Sequence, residues 1–470
     1  MTIGYLVLFA VAWLLIAILV LRMHAFLALL TTACLVAVST SASDIDSFAT
    51  ARVADGSFSV SEAESLRSAS PVVRVTAAFG RTAGSIGIVI ALASVIGTLL
   101  FHSGAAAVLV EAVLRRTGQG RAPEAIAAGS FLLGIPVFFD TVFYLMMPIA
   151  RGLRVRTGND YALYILAIFA GGAIAHSLIP PTPGPLQVAE LLDVDVGTML
   201  IAGLVIGGFT SAVSLFAARW LNSKVDLPLR DTEALNEHSD EPENGSTLGP
   251  PLVLAILPIA LPVILLAAGS VVPTFGSYRG AVTISEVLGE KHVALGVGSL
   301  AAAALLPWIN ASQRRRVISA SIASAGSIIL ITSAGGALGR MFYQAGIAEA
   351  VGSVADGFPG LMVLPLAWFV TAAIRTVQGS ATIAMITSAS ILQGLALGGT
   401  LPFHPVYLAM AIGGGSKPIS WMTDSGFWVI SEMSGMTERE ALRTISPMSL
   451  AMGLAALLAT MIAATIVPGI

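Results

Sequence analysis

Apolar stretches of about 20 residues recur along the chain, the length a helix needs to cross ~30 Å of hydrocarbon. They lie near residues 3–22, 25–42, 80–101, 160–193 with a break, 197–219, 250–272, 292–309, 318–344, 403–433 with a break, and 445–468. This pattern predicts an all-α polytopic membrane protein. Two further apolar stretches, 124–149 and 359–396, are expected to be re-entrant hairpins, and charge is the reason. Arg115, Arg116 and Arg121 precede the first while Arg151, Arg154 and Arg156 follow it, so a single crossing would leave one basic cluster outside. Gly134-Ile135-Pro136 supplies a place for the chain to turn back. Around the second stretch, Arg375 is the only Lys or Arg from Ala345 to His404, which suits ends on the outer face. The first stretch, Ile3 to Leu21, is longer than a signal-peptide core and is followed at once by another, so it is expected to be a retained helix.

The pattern also repeats. Residues 97–200 and 339–442 superpose without gaps: Gly104 falls on Gly346, Gly171-Gly172 on Gly413-Gly414, Gly184 on Gly426 and Glu190 on Glu432, every pair 242 residues apart. With Arg314-Arg315-Arg316, Arg439 and Arg443 inside, the stretch at 80–101 runs inward and its counterpart at 318–344 outward. An inverted-topology repeat follows, with two re-entrant hairpins and two broken helices. The halves are 1–221 and 250–470, joined by a cytoplasmic linker, 222–249, that is rich in Asp, Glu, Asn and Ser and lacks apolar periodicity. Inverted repeats of this kind place broken helices at the midplane around one substrate site.

Composition agrees. Charged residues are 11% of the chain against roughly 25% in a soluble domain, and the apolar share is 56%. The net charge of −3 gives no hint of nucleic-acid binding. A single cysteine, Cys34, excludes a disulfide framework and a cysteine metal cluster. No His-Glu-x-x-His or Gly-x-Ser-x-Gly occurs and the six histidines are scattered, so neither an embedded enzyme, a metal nor a cofactor is expected. The Gly runs at 171–172 and 413–415 suit close helix packing, since neither ends in the Lys-Ser/Thr of a phosphate loop.

Chemistry is concentrated where polar residues interrupt apolar runs. In Pro180-Pro181-Thr182-Pro183-Gly184-Pro185 the prolines remove backbone donors and stop the helix, freeing carbonyls at membrane depth, where only a cavity or other protein can satisfy them. The helix resuming after it aims its N-terminal amides at an anion. Arg375 costs about 2.5–3.5 kcal/mol at a helix centre on insertion scales. Two readings suit it: a fork for a substrate carboxylate, with Gln378, Gly379, Ser380 and Thr382 for hydroxyls, or a strut to Asp140 or Asp424. Asp140, beside Thr141, and Asp424, beside Ser425 and Gly426, are the two acids singled out inside the apolar elements. Each falls on a threonine in the other repeat, Thr382 and Thr182. A carboxylate removed from water takes up a proton more readily, so either acid can carry a coupled proton; a cap or a strut is the other reading of each. His176 is either a proton relay or a ring held within the break, and Lys417 either pairs with Asp424 or adds a second cation for the substrate.

Four of these motifs, Gly134 to Asp140, His176 to Pro185, Ile374 to Thr382 and Asp424 to Trp428, together resemble the gluconate permease (GntP) family, in order and over most of the chain from about residue 80. The resemblance implies a proton-coupled symporter in the bacterial inner membrane importing gluconate or a related small hydroxy or amino acid, and a homodimer. Lys417, Trp421 and Thr423 depart from the gluconate carriers' pattern, which has an apolar residue, a His and an Asn there. That leaves D-serine or glycerate open as substrate. An uncoupled channel is the other rival.

Overall fold

The computed structural model describes residues 3–54, 58–117, 121–230, 249–275, 279–346, 360–399 and 401–469. Among the described residues every regular element is helical. The first half holds α1 (Ile3–Leu15), α2 (Ala25–Ser39), α3 (Ala42–Ala54), α4 (Val60–Ser68), α5 (Pro71–His102), α6 (Ala105–Thr117), α7 (Ala122–Leu133), α8 (Phe139–Thr157), α9 (Tyr161–Leu178), α10 (Pro183–Leu191) and α11 (Val196–Asn222). The second holds α12 (Leu252–Phe275), α13 (Arg279–Gly289), α14 (Lys291–Ala303), α15 (Ala311–Gln344), α16 (Val363–Gln378), α17 (Ala381–Leu397), α18 (Pro405–Gly415), α19 (Ser425–Ser434) and α20 (Glu438–Ile466). Seven of these stretches are long and apolar enough to cross a membrane: Pro71–His102, Tyr161–Leu191, Val196–Asn222, Leu252–Pro273, Ala311–Gln344, Gly360–Gln378 and Glu438–Ile466.

Boundaries follow local chemistry more than hydropathy. The helix expected from residue 80 starts at Pro71, because the Ser70 hydroxyl accepts from the Val73 amide and Pro71 occupies the first turn, where its missing N–H costs nothing. Likewise α15 begins at Ala311 rather than 318. The stretch at 25–42 stops at Ser39 and bends by 94° into α3, and α4 follows with a Ser59/Glu62 capping box. Neither α3 nor α4 carries an apolar run, so hydropathy passed over both. The span expected at 292–309 is a helix only to Ala303, followed by a single tight turn at Leu306–Trp308. The first arm of the second pair, Gly360–Gln378, is itself long enough to cross a bilayer.

Helix starts recur along the chain. α7 to α11 begin at Ala122, Phe139, Tyr161, Pro183 and Val196; α16 to α20 begin at Val363, Ala381, Pro405, Ser425 and Glu438. Three of these five pairs are 242 residues apart, and the others differ from that by one or two. The left-handed residues recur too: Gly104 (φ 75°) with Gly346 (φ 80°), and Asp193 (φ 54°) with Gly435 (φ 70°).

The core is built around α9. Every residue from Tyr161 to Leu178 is buried except His176, as befits a helix apolar all round. Gly171 permits this: a Cβ there would collide with the Ala127 carbonyl of α7. Of the expected linker, residues 231–248 lie outside the described residues. Its first part is not loose: Leu227 is buried, and the Arg230 guanidinium donates to both Glu440 oxygens (2.7 and 2.9 Å) and to the Gly435 carbonyl (2.7 Å).

Candidate functional site

Two helix breaks and two tight helix–helix turns build the site. α9 ends at Leu178; Ile179 is extended, and Thr182 leads into α10 with Pro183 in its first turn. α18 stops at Gly415, and the chain is irregular until Asp424, whose carboxylate caps α19 by accepting from the Gly426 amide (2.9 Å). α7 and α8 are joined by residues 134–138. α16 and α17 are joined at Gly379 and Ser380, where Gly379 takes φ 86° and the Ser380 hydroxyl accepts from the Ile383 amide (3.4 Å).

These four features meet. A Cβ on Gly379 would collide with the Thr423 carbonyl, so only glycine brings the α16–α17 turn against the second break. The Trp421 indole (2.7 Å) and the Thr423 hydroxyl (3.3 Å) both donate to the Thr376 carbonyl and hold that contact. A Cβ on Gly184 would lie 3.7 Å from the Thr382 Cα, and one on Gly426 3.7 Å from the Phe139 ring. Each break thus touches the turn of the opposite half.

Between them lies a cavity of about 190 Å³. Of the residues singled out from the sequence, it brings together Asp140, His176, Arg375, Gly379, Ser380, Thr382, Lys417, Asp424, Ser425 and Gly426. Five others lie outside its lining. Thr141 faces a neighbouring cavity with Thr98 and Tyr144; Pro181 and Thr182 face a recess with Ile90 and Pro136, and the Thr182 hydroxyl donates to the Ile179 carbonyl (2.5 Å). Gly184 packs on Met385 and Thr382, and the Gln378 amide turns back to the Ser380 carbonyl (2.7 Å). The lining also includes Phe169, Ala173, Ser416 and Ser420, which sequence reasoning missed. Phe169 and Ala173 sit seven and three residues before His176, on one helical face, so that spacing was an available signal.

The charges are arranged unequally. Arg375 is buried, donates through Nη2 to Asp424 (2.5 Å) and through Nε to the Ser416 carbonyl (3.1 Å), and its Nη1 is buried without a partner. Asp424 also accepts from the Ser420 hydroxyl. The buried Lys417 ammonium donates to the Ala173 carbonyl (3.1 Å) and forms no close ion pair among the described residues. Asp140, in the first turn of α8, caps no helix end and has no hydrogen bond or ion pair among the described residues. The His176 ring lies edge-on to Phe138 (6.0 Å), with Nδ1 buried and unpartnered. Such a site offers two incompletely used cations, one free carboxylate and several hydroxyls to a small polar anion.

The family model of GntP family permeases matches residues 53–466. The chain belongs to the GntP permease family. It is 32% identical over 379 residues to an uncharacterized permease of Haemophilus influenzae, with 77% of each chain covered. It is 28% identical over 393 residues to the gluconate permease of Pseudomonas aeruginosa, covering 82% of this chain and 86% of that one. The fold is similar to that of MtrF of Neisseria gonorrhoeae, described as one of a class of antimetabolite efflux pumps, with a TM-score of 0.59 at 16% identity over 83% of this chain and 84% of that one. The GntP chain is therefore a transporter and not an enzyme, and a multi-pass protein of the inner membrane.

Proposed function

We propose that the chain is a proton-coupled symporter that imports gluconate or a related small hydroxy-carboxylate across the bacterial inner membrane. The observation that carries this is the unpartnered Nη1 of Arg375, a residue that lines the cavity together with Lys417. A buried charged donor left unmade costs more than about 1–3 kcal/mol, so it calls for an acceptor that arrives with the substrate. A carboxylate supplies one, and Ser380, Thr382 and Ser425 suit the hydroxyls. The similarity to the gluconate permease of Pseudomonas aeruginosa supports the same class. The free carboxylate of Asp140 favours a second reading, in which it receives the ammonium of an amino acid such as D-serine. A thermal-shift screen against gluconate, glycerate, lactate and D-serine should single out one ligand. That ligand should then accumulate in proteoliposomes under an imposed proton gradient and fail to do so with protonophore. Uptake that only equilibrates, with or without the gradient, would make the protein a channel.

The same reading makes α7–α8 and α16–α17 re-entrant hairpins of an inverted repeat. Three things support it: the recurring helix starts, the reciprocal contacts Phe139·Gly426 and Thr382·Gly184, and the length of α7, whose 12 residues span only ~18 Å. In a Cys34→Ala background, single cysteines at the exposed Arg115 and Arg156 should react with a membrane-impermeant thiol reagent from the same side. Labelling from opposite sides rules the first hairpin out.

A further inference from the structure

Arginines gather a second time, away from the transport cavity. α5 and α15 run antiparallel: Arg74 donates to the Gln344 side chain (3.0 Å), and 20 residues further along α5, ~30 Å at helical rise, Ser94 donates to the Ser321 carbonyl (3.0 Å). Arg314-Arg315-Arg316 therefore stand at one end of this pair, while Arg74, Arg81 and Arg340 stand towards the other. The excess of basic residues on cytoplasmic faces accounts for at most one of those ends. The second group needs its own cause.

Arg74, Arg81 and Arg340 line one cavity of about 400 Å³, with Phe58, Glu62 and Gln344. Arg74 is spoken for, by Gln344 and by the Ala37 carbonyl (2.7 Å). Glu62 accepts from the Ser59 amide (2.8 Å) and hydroxyl (2.7 Å), and these bonds hold its carboxyl below its usual range. Arg340 lies over the rings of Phe48, Phe58 and Tyr343, each 5.6 Å from the guanidinium carbon. Beside these ring contacts its N–H groups make no hydrogen bond among the described residues. Neither Arg81 nor Arg340 makes a hydrogen bond or a close ion pair among the described residues, and Glu62 acts on Arg81 only as a charge through space. Two forks in one cavity, with a single carboxylate beside them, leave excess positive charge and free donors.

We propose that this cavity binds a phosphate group, carried by an anionic lipid or free in solution, between Arg81 and Arg340. Tetrahedral phosphate takes paired N–H groups from more than one guanidinium at once, which a lone carboxylate does less well. The lining continues through Val73 and Ala77 on the exposed face of α5, next to the exposed Val72. That apolar rim gives an acyl chain a place beside the headgroup, which favours the lipid source. Occupancy reaches the transport elements through α15: Gly339, next to Arg340, packs on Ser390 of α17, whose cap Ser380 lines the transport cavity.

Thermal unfolding of the full chain in neutral detergent tests this. Added phosphatidylglycerol should raise the midpoint by a few degrees where phosphatidylcholine does not. Arg81→Gln combined with Arg340→Gln should lose most of that shift, while Arg314→Gln combined with Arg315→Gln, at the far end of α15, should keep it. If the double variant does not fold, Arg81→Gln alone, at an exposed side chain, should halve it. A shift reproduced by millimolar inorganic phosphate assigns the site to free phosphate; a shift from phosphatidylglycerol alone assigns it to lipid. The proposal is overturned if neither phosphate source shifts the midpoint beyond phosphatidylcholine, if acetate matches phosphate, or if Arg81→Gln keeps the full response.

Discussion

Arg375→Lys is expected to weaken substrate binding about a hundredfold or more while the protein still inserts and purifies. Arg375 does three things at once: it binds Asp424 through Nη2 and the Ser416 carbonyl through Nε, and it lines the cavity with Nη1 left unpartnered. An ammonium is a point charge that cannot reach all three, so either the pair with Asp424 or the contact to the substrate is given up. Removing one partner of a buried pair costs about 3–5 kcal/mol, and about 1.4 kcal/mol is a tenfold change in affinity. Arg375→Gln should lose at least as much, because it also leaves the Asp424 charge without its cation. Equilibrium binding of the ligand found by the thermal-shift screen measures the effect, with a size-exclusion profile as the check on folding. Unchanged affinity in both variants would sink the assignment.

The parts of this site that could be read from sequence are those that are costly in an apolar run. Arg375, Asp424, Lys417 and the proline cluster stand out because a charge or a missing N–H at membrane depth needs a partner, and a partner means a cavity or a contact. What sequence does not carry is which way a neighbour turns. Thr141 follows Asp140 yet points about 100° further round the helix, into a different cavity, and Gln378 folds back on Ser380 instead of facing the lumen. Phe169 and Ala173 were hidden by the opposite circumstance: in a helix buried on all sides, no hydropathy contrast marks the face that looks into the cavity. Hydropathy also placed the start of α5 too late, at residue 80: the helix start is set by Ser70 and Pro71, and Arg74, inside it, is satisfied by Gln344 and Ala37.

The two acids of the cavity are expected to fail in different ways when each is converted to asparagine. Asp424 accepts from Arg375, from Ser420 and from the Gly426 amide, so it is held by a cation and by the helix it caps. Asp424→Asn leaves the Arg375 guanidinium buried without its counter-charge, and substrate binding should be lost along with transport of every kind. Asp140 lines the same cavity with no protein partner, beside Phe138 and Phe139 and across from Asp424. A carboxylate in that position loses little when it is neutralised, which is the property a proton carrier needs. Asp140→Asn therefore fixes the neutral form: substrate-for-substrate exchange across proteoliposome membranes should continue within a few-fold of the parent rate, while accumulation driven by a pH gradient should fall to simple equilibration. Gradient-driven accumulation that survives in both single variants would remove both acids as carriers and leave His176, which lines the same space and has a ring nitrogen without a partner, as the next group to replace.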